Sequence, residues 1–358
     1  MLRFGVVKII RQLTLLCVAT ALSGCAVPFY WQAINGQLEL LRKRTPIEKI
    51  VDDPGIDSGL RSKLSSVAAM RRFAVDELGL PDNKSYTTYV ALDRSYVVWN
   101  VVAAKEFSID PERWCFPFAG CVAYRGFFAR DKAERFQAEL TAEGLDTYSG
   151  GSSAYSTLGY FADPVLSTMI IGGDQYVASL LFHELAHQKL YIKGDSEFSE
   201  AYATTIEEFG TERWLMTHGT GTDMDRYRQR RQRGADFGQL ITGQQSRLRE
   251  IYGRADPPER KRSAKREAFE MLQSDYAAVK SHWGGNAEYD AWFAQPLNNA
   301  TLAAVATYTR WVPLLRARLE SRGLDGFYAD TAALAKLTND QRAERLRGWA
   351  AAPVTASE

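Results

Sequence analysis

One segment, Leu180–Gln188, constrains the fold more than any other, because it sets two histidines within an apolar run. An α-helix completes a turn in about 3.6 residues, so His183 and His187 are expected one turn apart on the same face. Both imidazoles can then reach one metal ion, with the carboxylate of Glu184 beside them. The spacing therefore predicts a helix over Gln175–Tyr191 that carries a metal site.

The next segment is expected to supply a third metal ligand. Two histidines make a weak zinc site, and zinc sites that keep an open position for water have three protein ligands. The pattern predicts a second helix over Ser199–Met216, with Ser199 as its N-cap and Glu200 in its first turn. This helix can pack antiparallel against the first, so Glu200 is the predicted third ligand of one zinc ion. The alternatives for this role are Glu197, Glu207 and Glu208.

Glu207 has a second predicted role. It lies two helical turns after Glu200 on the same face of the second helix. Histidines that bind metals commonly donate their other ring N–H group to a carboxylate, which fixes the orientation of the ring. We therefore predict that Glu207 accepts a hydrogen bond from one ligand histidine without binding the metal itself.

These segments resemble the active-site helix pair of the gluzincin metallopeptidases. The shared features are His183–His187, the short polar turn after it and Phe198–Thr204. The resemblance is closest to a family of predicted zinc aminopeptidases among bacterial lipoproteins, and it extends over most of the mature chain. It implies peptide-bond hydrolysis with Glu184 as the catalytic base. The chain departs from thermolysin-like members at Ser199 and Thr204, where they carry Asn and Asp, and in a shorter spacing before the ligand Glu.

A segment before the histidines is expected to bind the substrate. Gly159–Pro164 stands about where large zinc aminopeptidases carry a GxMEN strand that pairs with the substrate backbone. This resemblance implies that Tyr160 and Asp163 bind a peptide substrate. Asp163 would meet the free amino group, because Ala162 replaces the amine-binding Glu. Alternative amine-binding carboxylates are Glu207 and Glu208, and a strand without a substrate role is the other interpretation of the segment.

Peptide hydrolysis also needs a hydrogen-bond donor for the oxyanion that forms, and in such enzymes this donor is usually Tyr or His. The candidates are Tyr308, Tyr155 and His218. A Tyr in an apolar helix more often belongs to the core, so none of the three is preferred strongly.

Two other functions compete with aminopeptidase activity. One is a non-catalytic lipoprotein that binds peptides or assists envelope assembly on a metallopeptidase scaffold. The other is a metal hydrolase that acts on a non-peptide amide. The presence of Glu184 favours an enzyme, because a binding protein has no chemical need for a general base.

The first 24 residues differ from the rest of the chain. Arg3, Lys8 and Arg11 precede an apolar run, Leu13–Leu22, which is too short to span a bilayer but typical of a signal peptide. The run ends in Leu-Ser-Gly before Cys25, and this sequence resembles the lipobox at which bacterial lipoprotein precursors are lipidated and cleaved. It implies a signal peptide over 1–24 and a lipid on Cys25 that holds the mature protein to a membrane.

The predicted location is the bacterial cell envelope. Ala26 follows the lipidated cysteine where Asp would indicate inner-membrane retention, so the analogy favours the outer membrane, facing the periplasm. A signal peptide cleaved without lipidation and an uncleaved anchor are the alternatives. Exported chains fold where disulfides persist, so Cys115 and Cys121 are predicted to form a disulfide, with two free buried thiols as the alternative.

Composition and patterning predict one globular domain. The chain has 358 residues, of which 46% are hydrophobic, and its 44 basic and 43 acidic residues give no strong field that would attract nucleic acid. The pattern is helical over 25–80, β-rich over 86–172 and helical again over 174–350. We therefore predict a predominantly helical α+β domain over 25–358, with the zincin-like helix pair packed on a small sheet.

Overall fold

Helices dominate the structure, a computed structural model that describes residues 27–116, 120–306 and 311–351. The predicted signal peptide, Cys25 and Tyr308 lie outside the described residues. The helices within them are α1 (Val27–Arg42), α2 (Ile47–Val51), α3 (Ser58–Asp76), α4 (Arg130–Ala142), α5 (Asp174–Lys189), α6 (Ser196–His218), α7 (Gly221–Gly253), α8 (Pro258–His282), α9 (Asp290–Phe293), α10 (Asn299–Ala306), α11 (Val312–Ala335) and α12 (Asn339–Ala351). The described helices include none that is long and apolar enough to cross a bilayer.

Short strands form three small sheets within the described ranges. The strands are β1 (Thr45–Pro46), β2 (Thr88–Val90), β3 (Val98–Ala104), β4 (Trp114–Phe116), β5 (Gly120–Val122), β6 (Arg125–Phe127), β7 (Asp146–Ser152) and β8 (Val165–Leu166). Strand β2 pairs antiparallel with β1 and parallel with β8, β3 pairs antiparallel with β6 and β7, and β4 and β5 form a hairpin. The predicted α+β class, mostly helical, is confirmed.

The region 86–172 contains two elements that the sequence pattern did not predict. Helix α4 buries Ala133 and Leu140 against the sheet β6–β3–β7. Strand β7 is rich in Gly and Ser, which fit strands poorly, yet it pairs with β3 from Ser152 opposite Val98 to Asp146 opposite Ala104. Pairing with a neighbouring strand, and not local propensity, therefore determines β7.

Helices α5 and α6 lie side by side in opposite directions. Three side-chain pairs join them: Ser179 and Thr211 at 3.1 Å, His183 and Glu207 at 3.0 Å, and His187 and Glu200 at 3.4 Å. The residue numbers rise along α5 while they fall along α6, which shows that the helices are antiparallel, as predicted. This arrangement brings the start of α6 to the end of α5.

The helix pair shares the largest described core with the sheet β1–β2–β8. Leu181 and Leu185 of α5 and Ile206 of α6 are buried in it together with Leu166 of β8. Gly210 lets α6 approach closely, because a Cβ atom there would lie 2.5 Å from Cδ1 of Leu78 and 3.0 Å from Cδ2 of Phe182. Helix α5, which bears the histidines, is therefore packed against α6 and against the sheet β1–β2–β8.

Two described helices, α10 and the first part of α11, fall within the predicted helix over Asn299–Arg322. Helix α10 ends at Ala306, and α11 extends to Ala335 through a break at Gly323, where φ is 64° and ψ is 177°. Glycine adopts a positive φ without the steric cost that a side chain would add. The break lets the chain bend and still continue as helix.

Candidate metal centre

Three side chains from α5 and α6 meet at one point. The Nε2 atoms of His183 and His187 are 3.1 Å apart, and Oε2 of Glu200 lies 3.3 Å from the first and 3.4 Å from the second. The two histidines come from successive turns of α5, with their rings nearly perpendicular. These residues form a possible metal-binding triad, and they are the ligands that the sequence predicts.

The spacing of the three donor atoms fits a tetrahedral ion. Ligands at about 2.1 Å from zinc in a tetrahedral site lie about 3.4 Å from one another. The observed separations of 3.1, 3.3 and 3.4 Å are close to this value. Two imidazole nitrogens and one carboxylate oxygen are also donors that zinc accepts readily. The residues present therefore fit zinc with one position left for water.

Helix α6 begins earlier than predicted, and Ser199 is not its N-cap. Asp195 caps the helix, since its Oδ1 accepts a hydrogen bond from the backbone N–H of Phe198 at 3.1 Å. The Ser199 hydroxyl donates to the Asp195 carbonyl at 2.8 Å and accepts from the N–H of Ile192 at 3.0 Å. Ser199 thus stabilises the turn between the helices. Glu200 consequently lies in the second helical turn, where it faces both histidines.

Carboxylates surround the His183 ring. Its Nδ1 lies 3.0 Å from Oε2 of Glu207, the contact that the sequence predicts, while its Nε2 faces Glu200. Burial lowers the pKa of His183, but the two carboxylates outweigh burial and raise this pKa well above its ordinary value. Burial raises the pKa of Glu200, and the imidazoles of His187 and His183 outweigh it and lower the pKa. The site therefore stabilises positive charge.

Glu184 lies beside the triad, partly buried. Burial raises the pKa of its carboxyl group, while the charges of His183 and His187 and the hydroxyl of Ser156 oppose this rise. The carboxylate also acts on the buried hydroxyl of Tyr86, whose pKa is raised first by burial and then by Glu184. A carboxylate with a raised pKa, close to the metal ligands, is suited to accept a proton from water.

The segment Gly159–Pro164 is a loop, so the predicted strand there is wrong, and β8 begins only at Val165. Gly159 has a positive φ of 82°, which interrupts an extended chain. The carboxylate of Asp163 closes the loop by accepting hydrogen bonds from the N–H of Thr157 at 2.9 Å and its hydroxyl at 2.7 Å. Asp163 is only 1% exposed, whereas Tyr160 is 65% exposed at the tip of the loop.

Asp163 nevertheless lies near Glu184, the predicted catalytic base. The pKa of Asp163 is raised to about 6, by burial and by the charge of Glu184, against the effect of the Thr157 hydrogen bonds. The backbone carbonyl of Asp163 accepts a hydrogen bond from the N–H of Tyr86 at 2.6 Å. The loop, Tyr86 and Glu184 thus form one wall of the site.

Of the three candidates for the oxyanion donor, the structure brings one to this wall. Tyr155 is partly buried, and the charge of Asp163 adds to burial in raising its pKa. His218 is 18 residues beyond Glu200, about 27 Å along the helix, and its ring stacks on Trp214 at 3.7 Å. His218 is therefore too distant from the triad to act there, and this candidate was wrong.

Two tyrosines at the site were not predicted. Tyr124 lies between β5 and β6 and is 40% exposed overall, but loss of hydration at its hydroxyl, and then the charges of Glu200 and Glu184, raise its pKa. Tyr191 follows α5, with its ring 6.0 Å from that of His187. Tyr191 is one turn beyond His187 in sequence, a signal that was available. Nothing local in the sequence connects Tyr124 with residues that lie 60 to 76 positions later.

A disulfide hairpin precedes Tyr124 in the chain. Cys115 and Cys121 are joined in the structure and lie opposite each other at the middle of β4 and β5. The hairpin packs on the turn between α5 and α6, where a Cβ atom at Gly120 would lie 3.1 Å from the backbone nitrogen of Gly194. Arg113 bridges the two parts by donating to the carbonyls of Cys121 at 2.8 Å and Gly194 at 3.3 Å.

The alternative third ligands occupy other positions. Oε2 of Glu208 lies 2.9 Å from Nη2 of Arg231, and Glu197 lies in the first turn of α6, where it lines a cavity. The cavity has a volume of about 1880 Å³ and is also lined by Glu207, the partner of His183. The cavity therefore lies on the far side of Glu207, and neither Glu184 nor any residue of the triad lines it.

The fold and the site define a predominantly helical α+β protein with a His-His-Glu triad on an antiparallel helix pair. Residues 28–346 match the family described as Putative aminopeptidase, and the chain belongs to this family. The match covers the triad, Glu184 and most of the described elements. No curated protein and no solved structure matches the chain.

Proposed function

We propose that the protein is a zinc-dependent aminopeptidase. The observation that supports it most is the triad of His183, His187 and Glu200, whose donor atoms are spaced at 3.1 to 3.4 Å on the helix pair that also carries Glu184. Membership of an aminopeptidase family favours a peptide as the substrate.

In the proposed mechanism, the zinc ion and the side chains of the protein have separate roles. Zinc, when bound, supplies a Lewis acid that polarises the peptide carbonyl and lowers the pKa of water. Glu184 accepts a proton from the attacking water and passes it to the leaving amine. Tyr124 and Tyr155 are the proposed donors to the oxyanion, because each has electrostatic neighbours in the site, Glu200 and Asp163 respectively.

The proposal is tested by zinc analysis of the purified protein together with digestion of a peptide library. We expect about one zinc per chain. Glu184→Gln should keep the metal and lose about 10²- to 10⁴-fold in turnover, since it removes the proton acceptor alone. Zinc binding without cleavage of any peptide would favour the non-catalytic scaffold, and cleavage of non-peptide amides alone would favour the second alternative.

Removal of N-terminal residues requires a carboxylate that binds the free amino group. Asp163 remains the proposed group, although the amine has to replace hydrogen bonds from Thr157, and Glu207 on the cavity wall is the alternative. N-acetylation of one short peptide should cost at least about 2 kcal/mol of transition-state stabilisation, measured as kcat/KM. Equal cleavage of both forms, or internal cuts in the free form, would identify an endopeptidase instead.

We also propose that lipid on Cys25 anchors the protein in the bacterial envelope, at the outer membrane facing the periplasm. The support is the Leu-Ser-Gly-Cys sequence after the apolar run Leu13–Leu22. Cys25→Ser should abolish palmitate labelling and leave the precursor unprocessed. Unchanged labelling in this variant would exclude the anchor.

A further inference from the structure

Helix α1 exposes an apolar stripe to solvent. Trp31, Ile34 and Leu38 are 65%, 52% and 37% exposed, and their spacing of three and four residues places them on one face. The opposite face packs on the protein, where Gln32 donates to the Gly126 carbonyl at 3.2 Å and accepts from the N–H of Phe128 at 3.0 Å. The orientation of α1 is therefore fixed, and the stripe faces outward. Contiguous exposed apolar side chains of this kind mark interaction surfaces.

The position of the stripe in the chain identifies what covers it. Helix α1 begins at Val27, with only Ala26 between it and Cys25. A lipid on Cys25 would thus bring the first turn of the helix to a bilayer surface. Trp31 suits the interface between head groups and acyl chains, where its ring can be buried while the indole N–H remains hydrated.

We propose that the exposed face of α1 lies in the interfacial layer of a lipid bilayer, so that the protein is docked on the membrane by this helix in addition to its anchor. The inference rests on the proposed lipid on Cys25 and does not depend on peptidase activity. Arg42 is exposed near the end of the same face, where its long side chain can extend to the phosphate groups.

Packing contacts also connect α1 with the candidate site. A Cβ atom at Gly36 would lie 2.1 Å from Cγ of Phe128, which shows how tightly α1 rests on that ring. The ring of Phe128 in turn contacts Tyr155 at a centroid distance of 4.9 Å. One continuous set of contacts therefore joins the docked helix to the wall of the metal site.

The test uses the full chain, processed in bacteria and reconstituted into vesicles of phosphatidylethanolamine and phosphatidylglycerol that contain brominated phosphatidylcholine. Trp31 is the one tryptophan among the exposed large hydrophobic residues of the described chain. We expect bromine to quench part of the tryptophan fluorescence of the wild type, and this part to be lost in Trp31→Phe. The matched control Trp292→Phe, in a core remote in sequence from α1, should keep the quenching.

Equal quenching of the wild type and Trp31→Phe would overturn the proposal. So would a Trp31 shielded from bromine in a chain that sediments as a dimer, because a second copy would then cover the stripe. Retention of residues 1–24, seen by mass spectrometry, with Trp31 unquenched would mean that the signal segment covers it instead. Quenching of Trp31 without lipid on Cys25 would support docking by α1 and exclude the anchor, and neither result depends on cleavage of peptides.

Discussion

Helix α6 carries two pairs of carboxylates that have different kinds of partner. Glu208 and Glu212 meet guanidinium groups: Arg231 contacts both, and Arg316 also contacts Glu212. Glu200 and Glu207 instead face the imidazoles of α5. Arginine is always charged at ordinary pH, whereas an imidazole is charged only when protonated. The charges of Glu208 and Glu212, the first pair, are thus neutralised by arginines of the same chain. Glu200 and Glu207, the second pair, have no such permanent positive partner among the contacts described, and they therefore suit a site that binds a cation.

The largest test of this difference removes a carboxylate from the second pair. Glu200→Ala should weaken zinc binding by at least about a hundredfold, more than the loss typical of groups outside the coordination sphere, because two imidazoles chelate poorly. The measurement is zinc retained in competition with a chelator of known affinity. Glu212→Ala is the matched control on the same helix and should retain zinc fully. Full zinc in Glu200→Ala, with loss in Glu207→Ala, would show that the wrong carboxylate was assigned.

A smaller effect is expected at Glu207, which holds the Nδ1 side of His183. Glu207→Ala should lower zinc affinity by about 10- to 100-fold, since the ring loses the acceptor that fixes its orientation. Glu207→Gln keeps a carbonyl oxygen at the same place and should recover part of the affinity. Wild-type affinity in both variants would mean that the contact does not orient the ligand.

The smallest effect is expected at Glu212, in the first pair. Its side chain is 17% exposed and that of Arg316 is 15% exposed, so Glu212→Ala leaves a largely buried guanidinium with fewer partners. We expect a loss of about 1 to 2 kcal/mol in the free energy of unfolding, less than for a fully buried pair because Glu320 still contacts Arg316. Urea unfolding of the zinc-saturated protein measures it. A fall in zinc affinity as well would remove the distinction between the two pairs.

The candidate metal site was predictable because its parts are close in sequence. His183, Glu184 and His187 share one helix, and Glu200 follows after a short turn, so helical periodicity alone brings them together. Tyr124 and Ser156 were missed because the pairing of β3 with β6 and with β7, which no local pattern encodes, carries these neighbouring segments to the site. The helix cap was misplaced because Asp195 and Ser199 are both good capping residues, and only the turn geometry distinguishes them.

The structure of the predicted substrate-binding segment also could not be derived from local sequence patterns. The segment Gly159–Pro164 was predicted as a strand from its position before the helix, yet Asp163 accepts hydrogen bonds from Thr157 and closes the segment into a loop. A sequence does not distinguish an aspartate that accepts hydrogen bonds within its own loop from one that binds the amino group of a substrate. The fold class, by contrast, follows from long helical patterns that most substitutions leave intact.

The cap of α6 has a consequence for the order in which the protein is made. Asp195 is held by Arg342, which is 2% exposed and also donates to the carbonyls of Leu334 and Leu337. The residue that secures the start of the ligand-bearing helix thus comes from α12, at the end of the described chain. A chain that is synthesised from its amino end cannot form this contact until residue 342 has been added. The start of α6 therefore gains this contact only after both helices that carry the triad have been made, and removal of α12 would take the contact away.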